Sequence, residues 1–327
     1  MHIVADIGGT KTALAVAAMK DGQVTLNSTR LFLNKDYASF DRAFAAYLNT
    51  VADEPIHGLG ISVAGVVDGN KCHMTNLDWL VDGGDLSERF DIKKVFLHND
   101  LAAAGYGLEV VPVDGLEKIG GGDAAITANR VLISPGTGLG ECIVHAVNGR
   151  YIPMASEGGH ADFAPFDGTT DRLWHFLKAR QPRVSSEDLL SGPGINNIFR
   201  FLVAENGGTL DDETEKKLDD WPGALVADRA IEDNDPISVR TIELFFDILA
   251  AEGGSMALKC LATGGVYFGG GIAPRLLKLL NKQRFAGIFA DKGKHQKLLE
   301  AIPLWVVVDT DLPMYGAAFH LLEVASD

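Results

Sequence analysis

Cysteine, basic charge and long apolar runs are all scarce in this chain. Of its 327 residues three are cysteine, Cys72, Cys142 and Cys260, far apart and with no C-x-x-C pair. That argues against a disulfide framework or zinc knuckle and fits a reducing compartment, each thiol being read as a small buried apolar group. Lysine and arginine number 29 against 44 acidic residues, a net charge of −15. A general nucleic-acid or anionic-membrane binder needs a basic face, so neither partner is expected, although a local basic pocket for phosphate stays open. No apolar run approaches the roughly 18 residues that span a bilayer, and the chain enters a strand by Ile3 without a charged-then-apolar leader. The expectation is a soluble, cytoplasmic protein. Two nucleotide signatures are also missing: neither G-x-x-x-x-G-K-[ST] nor G-x-G-x-x-G occurs. A nucleotide would have to be held by hairpin loops.

Such loops are present, as one pattern used twice about 130 residues apart. Ala5-Asp6-Ile7-Gly8-Gly9-Thr10-Lys11-Thr12 joins two apolar strands near the start, and Ser134-Pro135-Gly136-Thr137-Gly138-Leu139-Gly140-Glu141 does so in mid-chain. Glycine lets backbone N–H groups approach an anion closely, and threonine adds a hydroxyl donor. One Gly-rich hairpin is weak evidence; two facing ones would grip a triphosphate from both sides. Asp6, just before the first loop, is placed to hold Mg2+ through water, since Mg2+ takes one or two carboxylates plus phosphate oxygens. The plainer reading of Asp6 is a turn-stabilising side chain.

The length allows two domains with full cores, and a composition of 46% hydrophobic and 22% charged residues is ordinary for globular proteins. Three strands are expected first, at His2 to Ala5, Thr12 to Ala18 and Gln23 to Leu33, with Asp21-Gly22 as the tight turn. Phe40, Phe44, Tyr47, Leu48 and Val51 share one face of a helix. A buried strand follows at Gly58 to Val63, and Val95-Phe96-Leu97 is another, ending at His98-Asn99-Asp100 before a small-residue helix, Leu101 to Gly107. Antiparallel hairpins followed by β-α-β predict a mixed sheet flanked by helices. A second such pattern begins near Arg130 and ends with Val266-Tyr267-Phe268 running into Gly269-Gly270-Gly271. Between them Asp235-Pro236 is an N-cap pair, and Ile242, Phe245, Phe246 and Leu249 keep helical spacing. Gly253-Gly254 marks either a close backbone approach or the helix end. Residues 205–220 read as a solvated loop and helix face. Leu304 to Val308 reads as a buried strand, and Pro313 opens a final helix through Leu322, which would cross back to the N-terminal lobe.

Polar residues cluster at three places. Asn99-Asp100 ends a strand and opens a helix; it is an N-cap, a carboxylate able to accept a proton from an attacking hydroxyl, or both. Glu157-Gly158-Gly159-His160 implies a tight bend turning two polar side chains to one point. With Asp162 nearby, a metal site, a structural turn and a hydroxyl-binding cluster for a polyol are the alternatives. Glu187, after Ser185-Ser186, reads as the first turn of a helix.

Together these segments resemble the bacterial glucokinase family, within the superfamily of sugar kinases, actin and heat-shock chaperones. The matching stretches are ADIGGTKTALAV at the start, MTNLDW at 74–79, HNDLAAAGYG at 98–107, SPGTGLG at 134–140, EGGHADFAP at 157–165, VSSEDLLSGPGINNIFR at 184–200 and GGVYFGGGIAPR at 264–275. They run in order over nearly the whole chain. The resemblance implies an α/β fold of two ribonuclease-H-like, actin-like lobes, each a mixed sheet flanked by helices, with an interlobe cleft. A small lobe would span 1–110, completed by 309–327, and a large one 111–308. It implies ATP-dependent phosphorylation of D-glucose to glucose 6-phosphate with Mg2+, a homodimer and a place in glycolysis. Asp100 is similar to the family's catalytic base. Asn99, Glu157, His160 and Glu187 are similar to its sugar-holding residues. Asp6 with Gly8, Gly9, Thr10 and Lys11, and Gly136-Thr137-Gly138, are similar to its phosphate loops, and Gly269-Gly270-Gly271 to its adenosine-contacting turn. Departures are modest: GGTK replaces the frequent GGTN, the 62–69 segment lacks a common proline, and Ser156 stands where glycine is frequent before EGGH. The zinc-binding cysteine cluster of the related repressor/open-reading-frame/kinase family is absent. A kinase of another hexose or amino sugar, and a non-catalytic sugar sensor, are the alternatives.

Overall fold

The computed structural model describes residues 1–51, 54–74, 77–125 and 127–325. Thr75 and Asn76 of the MTNLDW stretch, and the last two residues of 309–327, lie outside the described residues. The chain divides into two compact units. One is Met1–Gly115 with Tyr151–Ala155 and Asp309–Asp327; the other is Leu116–Arg150 with Ser156–Val308.

The first unit is built on a mixed sheet. β1 (His2–Ile7), β2 (Lys11–Lys20) and β3 (Gln23–Leu33) form an antiparallel meander. Asp21 and Gly22 both take positive φ between β2 and β3, as a two-residue hairpin turn requires. α1 (Phe40–Leu48) buries Phe40, Phe44 and Tyr47, the face its spacing marks out. β4 (Gly58–Val63) pairs parallel with β1 and is buried along its whole length, as a central strand covered on both faces must be. A small antiparallel sheet of β5 (Val67–Asp68), β6 (Lys71–His73) and β7 (Leu80–Asp82) intervenes. Strands of two or three residues are too short to show a period, so the sequence gives no sign of them. α2 (Gly83–Phe90) is capped by Asp82. β8 (Lys94–Asn99) pairs parallel with β4, completes the order β3-β2-β1-β4-β8, and runs directly into α3 (Asp100–Gly107).

The second unit opens with β9 (Leu116–Gly120), β10 (Arg130–Pro135) and β11 (Leu139–Val147); the turn at Asn148-Gly149 then leads into β12 (Arg150–Ser156), of which Tyr151–Ala155 is counted with the first unit. Five helices come next: α4 (Gly168–Lys178), α5 (Gly192–Glu205), α6 (Asp212–Asp220), α7 (Ala224–Asp228) and α8 (Pro236–Cys260). β13 (Gly265–Phe268), α9 (Ile272–Leu276), α10 (Lys282–Ala290), α11 (Gln296–Glu300) and β14 (Leu304–Val307) complete it. In the sheet β11, β10, β13, β14 and β9 lie side by side in that order, with β10, β13 and β14 parallel. Asp235 accepts from Ser238 N at 2.8 Å and Pro236 takes the first turn of α8. The helix runs on through Gly253-Gly254, so close approach is the right alternative. A Cβ on Gly253 would lie 2.8 Å from Phe268 Cζ, and one on Gly254 2.7 Å from Lys292 Cε.

α12 (Leu312–Ala325) belongs to the first unit and is longer than Pro313 to Leu322. Its Met314, Ala317, Ala318 and Leu321 share a core with Val4, Ala15, Ala17 and Val24 of the sheet. Among the described residues no helix is long and apolar enough to cross a membrane.

Candidate functional site

In the first unit the carboxylates of Asp6 near the end of β1, Asp100 at the start of α3 and Asp311 just before α12 lie close enough for Asp6 to feel the charge of the other two. The hairpin ladder stops at the Ile7–Thr12 pair. Gly8 N donates to Lys11 O at 3.0 Å, and Gly9, Thr10 and Lys11 are exposed. A residue outside the motif holds this loop. Asn34, 1% exposed, donates through Nδ2 to Gly8 O (2.8 Å), accepts from Thr12 Oγ1 (2.7 Å), and its backbone N–H donates to Thr10 O (2.9 Å). No local pattern signals Asn34, since its partners lie 22 and 26 residues back.

Asp6 is half-buried at the end of β1, in register with Ser62 of β4, whose Oγ donates to Asp6 Oδ1 at 2.6 Å. Burial pushes the Asp6 carboxyl up to about 6. The negative charges of Asp100 and Asp311 act in the same direction, and the Ser62 bond opposes them. Ser62 and Asp311 are further members of this group that sequence reasoning passes over. Among the described residues no three His, Cys, Asp or Glu side chains are grouped to hold a metal by themselves.

Asn99 is the N-cap of α3, its Oδ1 accepting from Leu101 N (3.0 Å) and Ala102 N (3.3 Å), while its Nδ2 donates to Gly65 O (3.1 Å). The capping reading of Asn99 is therefore real. Asp100 Oδ1 accepts from Leu101 N at 2.9 Å. A carboxylate at a helix N-terminus is expected to be a weak base. In this fold burial acts the other way and raises the Asp100 carboxyl above its ordinary value, against the pull of the backbone N–H groups. Desolvation outweighs the helix terminus here.

In the second unit the mid-chain loop is closed by Gly136 N donating to Gly138 O (2.8 Å), and Gly136 O accepts from Gly192 N (2.8 Å) at the start of α5. Gly269 N donates to Ile133 O (2.8 Å), and Gly270, at φ +72, packs on the Pro135 carbonyl, 3.1 Å from its carbon to a built Cβ. The 136–138 loop and the Gly269–Gly271 turn are thus neighbours. Beside Gly271 a cavity of about 70 Å³ is lined by Pro222, Gly223, Ala224, Ile272 and Arg275.

The Glu157–His160 segment is a single 3-10 turn, with His160 N bonded to Glu157 O (3.0 Å) and Ala161 N to Gly158 O (2.8 Å). His160 Nδ1 lies 3.6 Å from Glu157 Oε2 and His160 Nε2 lies 3.7 Å from Glu187 Oε1. These separations exceed a hydrogen bond and leave His160, Glu157 Oε2 and Glu187 Oε1 able to take a polar ligand. Glu187 is not in a helix: it sits in the turn before α5, whose N-cap is Ser191, because Ser191 Oγ accepts from Gly194 N (3.0 Å) and donates to Glu187 O (2.8 Å). Glu187 Oε2 accepts from Leu139 N (2.8 Å), directly behind the 136–138 loop, and its own N–H donates to Gly159 O (2.8 Å). One residue thereby touches both the Gly-rich loop and the Glu157–His160 turn. Asp162 is paired with Arg183 at 2.6 Å, and among the described residues Glu157, His160 and Asp162 are not grouped to hold a metal.

Comparison with known proteins gives one consistent result. A family model described as Glucokinase matches residues 3–324. A glucokinase of Synechocystis is 33% identical, the match covering 97% of this chain and 96% of that protein. The structure of a glucokinase from an Antarctic psychrotroph is similar at a TM-score of 0.90 and 28% identity, over 98% of both chains. A ROK-family glucokinase from Streptomyces griseus, solved in complex with glucose and AMPPNP, shares the fold at a TM-score of 0.64 and 19% identity, over 98% of this chain and 99% of that one.

Proposed function

The chain belongs to the glucokinase family and is a sugar kinase of that kind, and we propose that it transfers the γ-phosphoryl group of ATP to the 6-hydroxyl of D-glucose with Asp100 as general base. The observation that carries the role of Asp100 is its placement. One carboxylate oxygen is pinned by Leu101 N–H, the group is half-buried, and Asp6 is close enough for the two charges to interact. A base raised above the ordinary carboxylate range is better matched to a hydroxyl proton than an exposed aspartate. Glu157, His160 and Glu187 would bind the other sugar hydroxyls, with the remaining N–H of Asn99 adding a donor. The exposed amides of Gly8 to Lys11 and the 136–138 loop would take the phosphates, and the Gly269–Gly271 turn the adenosine.

Phosphoryl transfer needs positioning and neutralisation of charge more than covalent help. Asp6 is the carboxylate that fits Mg2+ through water: Asp100 and Asp311 already crowd it with negative charge, and a dication relieves that repulsion. When bound, Mg2+ supplies charge neutralisation at the phosphates. ATP as donor is supported by the nucleotide analogue held by the Streptomyces griseus relative. We place the enzyme in the cytoplasm as a glycolytic homodimer.

The test is ADP release from Mg-ATP across a panel of hexoses and amino sugars. Saturable release with glucose, far above the sugar-free rate, is expected. Preference for another sugar would redirect the substrate, and release that no sugar accelerates would favour a sensor.

A further inference from the structure

Glu141 on β11 has no part in the roles assigned above, yet it lies against the Glu157–His160 turn. It is 1% exposed. The other buried acids are paired: Asp247 makes a two-pronged bridge to Arg284 at 2.6 and 2.7 Å, and Asp82 meets Lys71 at 2.6 Å. Glu141 has no such partner, and its Oε1 makes no hydrogen bond. Its Oε2 packs on Gly158, where an added Cβ would overlap it. The backbone beside it is tied to the same turn: Ser156 Oγ donates to Glu141 O (3.0 Å) and accepts from Gly158 N (3.2 Å).

We propose that Glu141 is a positioning residue for the sugar turn: its neutral carboxylic acid seats Gly158, and its ionisation unseats that glycine together with the flanking Glu157 and His160. The inference rests on the hexose-kinase reading. An unpaired carboxylate cannot stay dry in a protein interior; it must neutralise or draw in water or a cation. Neutral Glu141 tolerates direct contact with a glycine backbone. The ionised form would swing toward water or toward Lys259, and either movement withdraws the floor under Gly158. The charged groups that act on it are Glu252 and Lys259 of α8, while the side chains of Glu157 and His160 on the turn are exposed. Glu252 is held by Lys259 (3.8 Å) and Ser186 Oγ (3.4 Å), and Lys292 reaches the same stretch of α8 at Ala251 O (2.9 Å). Burial pushes the Glu141 carboxyl up to about 7; Glu252 adds to the rise and Lys259 opposes it. The switch therefore falls in the working range of pH.

The experiment is the glucose KM between pH 6 and 8.5, at saturating Mg-ATP, for the wild type, Glu141→Gln and Glu252→Gln. If only the neutral form seats the turn, the wild-type KM rises on the order of tenfold by pH 8, following the shrinking neutral fraction. Glu141→Gln, neutral at every pH, should flatten that rise. Glu252→Gln removes the charge that disfavours ionisation and should move the rise to lower pH, a displacement that a merely structural role for Glu141 would not produce. A pH-independent wild-type KM, or a rise that persists unchanged in Glu141→Gln, overturns the proposal. If Glu141→Gln does not fold, the wild type and Glu252→Gln decide alone. Glucose-dependent turnover with a flat KM would sink this inference and spare the kinase reading, whereas no sugar-dependent turnover at any pH would remove both.

Discussion

At the crossing of α3 and α12, packing in the first unit bears on the position of the proposed base, and Gly316→Ala tests it. Gly316 lies against the α3 backbone. A Cβ there would fall 2.6 Å from the Ala103 carbonyl carbon and 2.7 Å from Gly107 N, where ordinary contact begins at 3.4 Å. It would also overlap the Ala103 carbonyl oxygen; all of these obstacles are main chain, so no rotamer change relieves them, and the helices must part by more than about 1 Å. Alanine gains about 1 kcal/mol over glycine in a helix interior, but forcing a methyl into a filled contact costs about 1–3 kcal/mol and more against rigid backbone. A net loss of about 2 kcal/mol is expected, read in urea as a midpoint lower by about 1 M. The displaced element carries Asp100 at its first residue, and a misplacement of about 1 Å can cost on the order of 100-fold in rate. Turnover should therefore fall along with stability. Gly287→Ala is the control: Gly287 is in α10 with nothing within 4 Å of its Cβ position, so it should gain up to about 1 kcal/mol. Wild-type stability and turnover in Gly316→Ala would refute the reasoning.

Four other outcomes are expected. Asp100→Asn should lose about 10²–10⁴-fold in kcat with ATP binding by calorimetry near normal; comparable loss of ATP affinity would contradict its role as base. Glu157→Ala and His160→Ala should raise the glucose KM with little change for ATP, whereas Glu187→Ala should raise both, because Leu139 N behind the 136–138 loop, proposed to take phosphate, loses its acceptor; steady-state kinetics in both substrates separates them. Asn34→Ala should destabilise by about 1–3 kcal/mol, since the buried Thr12 hydroxyl and the Gly8 carbonyl lose their partner, and should weaken ATP binding. Glu141→Gln should flatten stability against pH. The wild-type carboxyl moves from an ordinary 4.5 to about 7 on folding, so the native state holds its proton longer. That contribution is complete below pH 4.5 and falls by about 3 kcal/mol as pH rises through about 7. Denaturation midpoints at pH 4.5 and 8 should differ less in the variant by about that amount, and identical pH slopes would contradict the buried neutral acid.

What the sequence makes legible follows from how far each signal reaches along the chain. Asp21-Gly22, Asp235-Pro236 and the 40–47 aromatic spacing act on neighbours within a few residues, and their hairpin, cap and buried face are where the pattern puts them. Gly253-Gly254 is half-legible: glycine announces a special position, but only Phe268 and Lys292, distant in sequence, decide that it is close packing within an unbroken helix. Glu187 misleads for the same reason. Its neighbours look helical, yet Ser191 takes the capping position four residues later, and Leu139 and Gly159 hold Glu187 in the turn. Asn34, Ser62, Asp311 and Glu141 lie beyond reach, because each matters through a partner brought to it by a strand register or a returning helix. Asp100, the proposed base, shows the same limit in its chemistry. A helix N-terminus is written in the sequence and argues for a weak base, whereas the burial that reverses the shift comes from the fold. Local sequence thus proposes the groups that would touch substrate, whereas contacts such as those of Asn34, Ser62 and Glu141, which bear on how those groups are held, come only from the fold.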